Sequence, residues 1–175
     1  MDHETGATPA GPAIARQPIF DLDGQLYGYE LLYRGVDALE ACDGDEMTAR
    51  VIVGALAGVD LDLLSAGRPV FINATRSLLM SDLLQLLPPR RVILEILEDV
   101  EPDPALLRRL TDLAASGYRL ALDDCLELES RRPFLDFIEI AKVDVAAVGL
   151  EALAGQMDGW QRTGRLLLAE KVETP

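Results

Sequence analysis

Residues 120–124, Leu-Ala-Leu-Asp-Asp, join a short apolar run to two adjacent carboxylates. A run of this kind is typical of a strand that is buried on both faces. Five further apolar runs also end in a residue that can hold a metal ion or its water. These end residues are Glu30, Asn73, Glu95, Lys142 and Glu170. Because parallel α/β sheets place their chemistry at the carboxyl ends of their strands, the six runs predict one shared pocket rich in oxygen ligands.

The segments around these runs predict how the strands are connected. Residues 14–20 and 26–33 are strand-like and are joined by the turn sequence Asp21-Leu22-Asp23-Gly24, which predicts an antiparallel hairpin. Four segments have helical spacing or helix-boundary residues. We predict helices over 45–58, 77–87, 104–116 and 150–162. The last three are followed by Pro88-Pro89, Gly117 and Gly164, which are typical stops.

The alternation of strands and helices predicts an α/β fold, more specifically a TIM-barrel-like (β/α) domain that opens with an antiparallel hairpin. About seven strands can be counted, the last over residues 165–173, whereas a closed barrel of this type has about eight. We therefore expect the domain to lack its last strand-helix unit. We expect residues 1–12 to be a flexible leader, and residues 13–175 to form a single domain that is incomplete at its C-terminus.

The composition excludes several classes of protein. Thirty acidic residues against sixteen basic ones give a formal net charge of −14, which argues against binding DNA. No apolar run approaches the ~20 residues of a membrane span. The polar start, Met1-Asp2-His3-Glu4, is unlike a signal peptide. The sequence therefore predicts a cytoplasmic protein that does not bind a membrane.

Cysteine and histidine usage narrows the chemistry further. Cys42 and Cys125 are far apart and match no metal-binding spacing, so a disulfide framework is not expected. The one histidine is His3, close to the chain start, which leaves no Ser-His-Asp triad, Cys-His pair or histidine-based zinc site. Cys125 follows the paired aspartates, but as a nucleophile it would have no ordered histidine to activate it.

The oxygen-bearing residues favour divalent-metal chemistry when they are taken together. Singly, Asp123 or Glu98 could cap a helix, and Lys142 could be an exposed charge. Jointly, the adjacent Asp123 and Asp124 cannot both ionise cheaply in a buried site unless a cation compensates them. Several carboxylates and Asn73 can bind Mg²⁺, Mn²⁺ or Ca²⁺, and such ions activate bound water and clamp phosphate oxygens. These residue types favour metal-assisted phosphodiester hydrolysis.

Seven short motifs follow one another between residues 14 and 174. They are Gln17-Pro18-Ile19, Glu30-Leu31-Leu32-Tyr33-Arg34, Phe71-Ile72-Asn73, Leu94-Glu95-Ile96-Leu97-Glu98, Leu122-Asp123-Asp124, Lys142-Val143-Asp144 and Ala169-Glu170-Lys171-Val172-Glu173-Thr174. In this order the chain resembles the EAL family of cyclic-di-GMP phosphodiesterases. It resembles most closely the EAL half of proteins that join an EAL domain to an HDOD domain.

The resemblance implies a role for each matched residue. The ligands of the metal or of its bound water would be Glu30, Asn73, Glu95, Asp123, Asp124 and Glu170. Lys142 and Glu173 would act in catalysis beside the hydrolytic water, together with Glu30. Arg34 and Gln17 would contact the dinucleotide, and Glu98 would support the loop after the paired aspartates. The implied cofactor is Mg²⁺ or Mn²⁺, with Ca²⁺ as an inhibitory ion.

Departures from the family pattern point to reduced activity. Active members continue the paired aspartates with Phe-Gly-Thr-Gly, whereas Cys125-Leu126-Glu127-Leu128 follows here, without a glycine for tight turns. Leu31 replaces the alanine of the Glu-Ala-Leu signature. Lys171 replaces a glycine, and we expect its ammonium to lie close to the metal position. The chain also ends before the segment expected to supply a further glutamine.

The sequence leaves three functions open. The altered loop favours a degenerate EAL-like signalling domain that acts by protein contacts with little or no hydrolysis. The alternatives are an active metal-dependent cyclic-di-GMP phosphodiesterase, and a receptor that binds the dinucleotide without cutting it. The expected protein partners are an HDOD-type or other signalling domain and further copies of the chain, since an open barrel edge favours association.

Overall fold

The described part of the chain is organised around one sheet of seven strands. The computed structural model describes residues 13–34, 53, 56, 61–123, 125 and 131–172. The strands are β1 Ala13–Phe20, β2 Leu26–Arg34, β3 Val70–Ala74, β4 Val92–Ile96, β5 Arg119–Leu122, β6 Ile140–Asp144 and β7 Leu166–Glu170. They lie in chain order, with β1 antiparallel to β2 and every later pair parallel. The predicted hairpin and parallel sheet are confirmed.

Short helices connect the parallel strands. They are α1 Leu61–Ser65, α2 Arg76–Met80, α3 Pro104–Ala115, α4 Val145–Val148 and α5 Leu150–Thr163, with 3-10 turns at Asp82–Leu86 and Arg132–Phe134. In the residues that the structure describes, none of these helices combines the length and the apolar character needed to cross a membrane.

The boundaries of α3 follow directly from its sequence. The Asp103 carboxylate accepts hydrogen bonds from the N–H groups of Ala105 at 2.8 Å and Leu106 at 3.0 Å. These donors would otherwise be unsatisfied at the start of a helix. Pro104 occupies the first turn, where its missing N–H costs nothing. Beyond the end of the helix, Gly117 has a φ of 92°, which glycine adopts without steric cost.

The sheet is curled rather than flat. Lys142 on β6 lies 3.6 Å from Glu30 on β2, although four strand spacings in a flat sheet would separate these strands by about 19 Å. Towards the other end of the strands, Arg119 on β5 donates a 2.7 Å hydrogen bond to the hydroxyl of Tyr27 on β2. The sheet therefore forms part of a barrel wall, with an inner and an outer face.

An apolar cluster packs against each face of the sheet. On the outer face, strand residues such as Ile72 and Leu94 belong to one buried cluster with Leu110 of α3 and Trp160 of α5. The inner face carries a smaller buried cluster. Its members are Ile19, Phe71, Ile93, Ala121 and Ile140. Because both faces are covered, β4 and β6 are buried along their whole length, and their residues are apolar except for Glu95, Lys142 and Asp144.

Two predicted elements differ from the structure, and two predicted segments lie largely or wholly outside the described residues. The helix predicted over 77–87 is wrong, because Ser81 is extended and its hydroxyl accepts from the Leu83 N–H, which starts a separate 3-10 turn. The strand predicted over 165–173 already ends at Glu170, since Lys171 takes a left-handed φ of 53°. The predicted helix over 45–58 lies outside the described residues except for positions 53 and 56, as does the leader 1–12.

Candidate functional site

The inner face of the sheet is built in two layers. Along each parallel strand, a floor residue is followed two positions later by a polar residue, and residues two apart share one face of a strand. The pairs are Gly28 and Glu30, Phe71 and Asn73, Ile93 and Glu95, Ala121 and Asp123, Ile140 and Lys142, and Leu168 and Glu170. The lower layer contains most of the inner apolar cluster. The upper layer therefore collects the polar groups at the carboxyl ends of the strands.

Lys142 lies at the centre of this upper layer. Its side chain is 2% exposed, and its Nζ lies near four carboxylates that come from different strands. The distances are 2.7 Å to Glu170 Oε1, 3.1 Å to Glu95 Oε1, 3.2 Å to Asp123 Oδ1 and 3.6 Å to Glu30 Oε2. We call these four side chains the acidic cluster. An ammonium has three N–H donors, so Lys142 cannot satisfy all four carboxylates with short hydrogen bonds at once.

The members of the acidic cluster differ in their access to solvent. The Glu95 side chain is fully buried, whereas those of Asp123 and Glu170 are 23% and 24% exposed. Glu30 is intermediate between them. Water and small ligands therefore reach the cluster past Asp123 and Glu170, while Glu95 forms its deepest point.

Burial and neighbouring charges shift the pKa values in the cluster. Burial raises the pKa of Glu95 to about 8; Lys142 opposes this rise, and Glu30 and Asp123 add to it. Burial also raises the pKa of Glu170, against the effect of its hydrogen bond with Lys142. Burial alone would lower the pKa of Lys142, but Glu95, Glu30 and Asp123 raise it above its ordinary value. Lys142 is therefore held in its charged form.

The donor atoms of the site suit a hard divalent cation. Asn73 pairs in register with Glu95, so that both side chains are on the inner face. Asn73 Oδ1 and Glu95 Oε2 are buried and accept no hydrogen bond from the described residues. Carboxylate and amide oxygens are the preferred ligands of Mg²⁺ and Mn²⁺. Within the described residues, however, no three acidic, Cys or His side chains converge closely enough to hold an ion, and the carboxylates surround the Lys142 ammonium.

Main-chain hydrogen bonds position Asp123 and the residues after it. The Asp123 N–H donates to the Ile96 carbonyl at 2.9 Å, which holds Asp123 against the end of β4. The Cys125 N–H donates to the Lys142 carbonyl at 2.8 Å, and the Cys125 side chain is fully buried. The chain on both sides of position 124 is therefore attached to neighbouring strands, and Cys125 packs as a core residue.

Arg131 connects the loop after β4 to the chain that follows the aspartates. Its Nη2 donates to the Leu97 carbonyl at 3.1 Å, and its Nη1 donates to the Glu98 carbonyl at 3.0 Å. The guanidinium also lies over the Phe134 ring, 5.1 Å from its centroid. Arg131 thereby fixes the backbone around Glu98, the residue that the sequence predicts as loop support.

Asp144 and Lys171 form a second charged pair next to the acidic cluster. Asp144 lies two residues after Lys142, and its Oδ1 accepts from the Ala147 N–H at 3.0 Å to cap α4. Its Oδ2 pairs with the Lys171 ammonium. The hydrogen bond from Lys171 lowers the pKa of Asp144. This pair attaches the end of β7 to the start of α4.

Comparison with known proteins yields relatives of similar sequence. No family model matches the sequence. The chain is 34% identical over 168 residues to the uncharacterized protein YuxH of Bacillus subtilis, covering 92% of this chain and 41% of the relative. It is also 34% identical over 166 residues to the cyclic di-GMP phosphodiesterase CdgJ of Vibrio cholerae, covering 92% of this chain and 38% of the relative. The chain thus spans about two fifths of the length of the curated relatives it matches.

Solved structures share the architecture of the chain. The B. subtilis YkuI protein, with an EAL domain and in complex with substrate c-di-GMP and calcium, gives a TM-score of 0.68 at 22% identity; the match covers 92% of this chain and 48% of YkuI. A standalone versatile EAL protein from V. cholerae, bound to c-di-GMP, gives 0.70 at 17% identity over 96% of this chain and 84% of that protein. The chain has the EAL-domain fold. Its curled seven-stranded sheet corresponds to part of the EAL barrel.

The predicted site residues lie at different places relative to the carboxyl ends of the strands. The structure brings Glu30, Asn73, Glu95, Asp123, Glu170 and Lys142 together at one end of the sheet. Gln17 lies on β1 opposite Glu30, with an exposed side chain. The side chain of Arg34 lies outside the described residues, as do Asp124 and Glu173.

Sequence reasoning missed two contributors to the site. Asp144 belongs to the motif Lys142-Val143-Asp144, and its position two residues after Lys142 on one strand could have shown that it shares the inner face. Arg131 carried no recognisable signal, because its partners are backbone carbonyls more than thirty residues earlier in the chain. Lys171 has a left-handed φ of 53°, a conformation that glycine adopts at lower cost than lysine.

Proposed function

We propose that this chain is an EAL-type signalling domain with little or no hydrolysis of cyclic-di-GMP, which acts mainly through contacts with other protein domains. Its EAL fold and its similarity to a cyclic di-GMP phosphodiesterase support the link to this dinucleotide. The observation that carries the proposal is the position of Lys142. One oxygen of each carboxylate in the acidic cluster lies within 4 Å of its ammonium, so a metal would have to share these oxygens with Lys142.

The residues after the aspartates support the same conclusion. Cys125 is buried and hydrogen-bonded to β6, and the sequence that follows has no glycine before Arg131. A loop that reorganises around metals needs backbone freedom, which glycine supplies. The absence of glycine from residues 126–130 therefore supports reduced hydrolysis.

The residues of the site nevertheless fit a divalent ion, which would be Mg²⁺ or Mn²⁺, with Ca²⁺ as an inhibitory ion. Glu30, Asn73, Glu95 and Asp123 would hold it, with Asp124 and Glu170 as further ligands. The ion would activate water and neutralise phosphate charge. Lys142 and Glu173 would lie beside the hydrolytic water, and Arg34 and Gln17 would contact the dinucleotide.

An active phosphodiesterase is the second candidate. Six of the predicted site side chains, including Asn73 and Lys142, lie together in the described residues, which favours retained activity. A receptor that binds the dinucleotide without cutting it would use the same residues. The three functions differ in two measurable properties, namely binding of cyclic-di-GMP and release of the linear product.

One assay separates these functions. The purified chain is incubated with cyclic-di-GMP and Mg²⁺ or Mn²⁺, and the linear product is quantified by chromatography, with Asp123→Asn as the matched control. We expect no more product from the wild type than from the variant. Metal-dependent product from the wild type alone would instead support the phosphodiesterase. Binding measured by calorimetry without product formation would support the receptor.

The proposal extends to partners and location. We propose an HDOD-type or other signalling domain as the partner, because the curated relatives are more than twice as long as the matched segment. We also propose self-association through the open edges of the sheet, and a cytoplasmic location. The single-domain arrangement of residues 13–175 remains part of this proposal.

A further inference from the structure

We infer that Lys142 is the resident cation of the acidic cluster, so that a divalent ion entering the site must compete with its ammonium for the same carboxylate oxygens. The inference rests on the proposed metal site and concerns what controls the affinity of this site for a divalent ion. It assigns Lys142 a role that is independent of hydrolysis: the lysine stabilises the metal-free fold and at the same time weakens metal binding.

The first support is the position of the ammonium. Nζ of Lys142 lies 2.7 to 3.6 Å from one oxygen of each of the four carboxylates, which places it between β2, β4, β5 and β7. A divalent ion bound by Glu95, Asp123 and Glu30 would have to lie near the same point. Two cations that share one set of oxygens repel each other and divide the attraction of the carboxylates.

The second support is the spread of the donors. In the described part of the chain, no three acidic side chains converge tightly enough to hold an ion. Both oxygens of Glu95 are buried and accept no hydrogen bond from the described residues, although Oε1 lies at an ion-pair distance of 3.1 Å from Lys142 Nζ. The cluster is thus arranged around a monovalent group with three donors, and the Glu95 oxygens at its deepest point can still accept a bond from another ligand.

The third support is the energetic cost of the acidic cluster without a cation. Four carboxylates meet in a largely buried space, and a buried carboxylate without a counter-charge is costly. Lys142 is the cation that the described residues place within 4 Å of all four. Lys171 differs, since its side chain is exposed and pairs with Asp144, which is not a member of the acidic cluster. Lys171 therefore provides a matched control for the loss of one positive charge.

The test compares Mn²⁺ binding by the wild type, Lys142→Met and Lys171→Met. Calorimetry gives the Kd, and thermal unfolding with EDTA or with millimolar Mn²⁺ gives the Tm. For Lys142→Met we expect a Kd about tenfold or more lower than that of the wild type, because the ion no longer competes with the ammonium. We also expect a lower Tm in EDTA and a larger rise of Tm with Mn²⁺. Lys171→Met should leave the Kd within about threefold of the wild type.

A third variant separates charge from shape. Lys142→Arg keeps the positive charge, so it should bind Mn²⁺ no more tightly than the wild type. If Lys142→Met folds only when Mn²⁺ is present, the inference is supported, since the ion then replaces the missing ammonium.

Two results would overturn the inference. In the first, the wild type binds Mn²⁺, but Lys142→Met binds it no more tightly and gains no more thermal stability from it. Lys142 is then not the competing cation, and the proposed function is unaffected. If neither protein binds Mn²⁺, the metal site and the inference fail together. Hydrolysis is measured separately, by the product assay. Failure of this inference can therefore be distinguished from failure of the proposed function.

Discussion

At the scale of single residues, Glu95 is the most deeply buried member of the acidic cluster, and its ionisation is linked to folding. Burial raises its pKa from the ordinary 4.5 to about 8. Between these two values the folded state binds more protons at this site than the unfolded state does. The contribution of Glu95 to the free energy of unfolding must therefore fall as the pH rises from about 4.5 to about 8.

This gives a pH-dependent prediction for the metal-free protein. In EDTA, Glu95→Gln should flatten the decline of the unfolding free energy between pH 5 and about 8, because the amide has no proton to lose. Urea denaturation at a series of pH values measures the slope. Glu101→Gln, at an exposed position outside the site, is the control and should keep the wild-type slope. An unchanged slope in Glu95→Gln would show that Glu95 does not titrate in this range.

Gly28 is the floor residue beneath Glu30 and leaves no room for a side chain. An added Cβ would lie 2.7 Å from the Pro69 carbonyl oxygen and 3.3 Å from the Phe71 ring. Gly28→Ala should therefore lower the free energy of unfolding by about 1–3 kcal/mol, since the opposing backbone cannot move freely. Gly155→Ala on α5 is the matched control, because nothing lies within 4 Å of its added Cβ. Denaturant unfolding that gave equal stability for both variants would contradict this account of Gly28.

At the scale of secondary structure, the N-terminus of α3 depends on Asp103. This carboxylate accepts two backbone hydrogen bonds and pairs with Arg76 at 2.5 Å. The hydrogen bond from Arg76 and those from the backbone lower the pKa of Asp103 to about 2. Its contribution to stability is therefore present above the unfolded value of 3.8 and is lost as the pH falls towards about 2.

Removal of this cap should have a measurable effect on the whole fold. Asp103→Ala should lower the Tm by about 2–4 °C at pH 7, and Asp103→Asn by less, because asparagine is also a good cap. Circular dichroism melting measures both variants. At a pH near 2 the difference between Asp103→Ala and the wild type should shrink. A difference that stayed constant down to that pH would exclude the charged cap as its cause.

The elements show which parts of the fold are encoded locally. The hairpin, α3 and the end of α5 were predictable because turn residues, Asp103-Pro104 and Gly164 act on their immediate neighbours. The break at Ser81 was not predictable from apolar spacing, since the run over 77–87 continues through it. The polar residues at strand ends were predictable from the apolar runs that precede them and from the parallel order of the strands. The central position of Lys142 was not, because it depends on the curl of the sheet, which brings carboxylates from four strands to one ammonium and is not encoded in any local pattern.

At the scale of the whole molecule, the sheet has two edges in the described residues, β1 and β7. Leu166 on β7 is 57% exposed, although its partner in register, Ile140, is buried. Near the other edge, Phe20 is also more than half exposed. Unpaired strand edges with exposed apolar side chains favour association with another chain or segment.

We therefore predict that the isolated 175-residue chain self-associates through the edges of the sheet at β1 and β7. Light scattering at micromolar concentration should give a mass above that of the monomer, and Leu166→Lys should shift it towards the monomer. Leu86→Lys, at another exposed leucine that lies in a 3-10 turn, is the control and should leave the mass unchanged. A wild-type monomer at these concentrations would show that the edge is not an association surface.

The central claim is that one acidic cluster at the strand ends is the functional site and that Lys142 fills it in the absence of a metal. Anomalous diffraction from crystals grown with Mn²⁺ tests it most directly. We predict one strong peak beside Glu95, Asn73 and Asp123, with the Lys142 ammonium withdrawn from at least one of the carboxylates that it now contacts. A peak at another place, or a metal bound among these residues while Lys142 keeps all four contacts, would contradict the account.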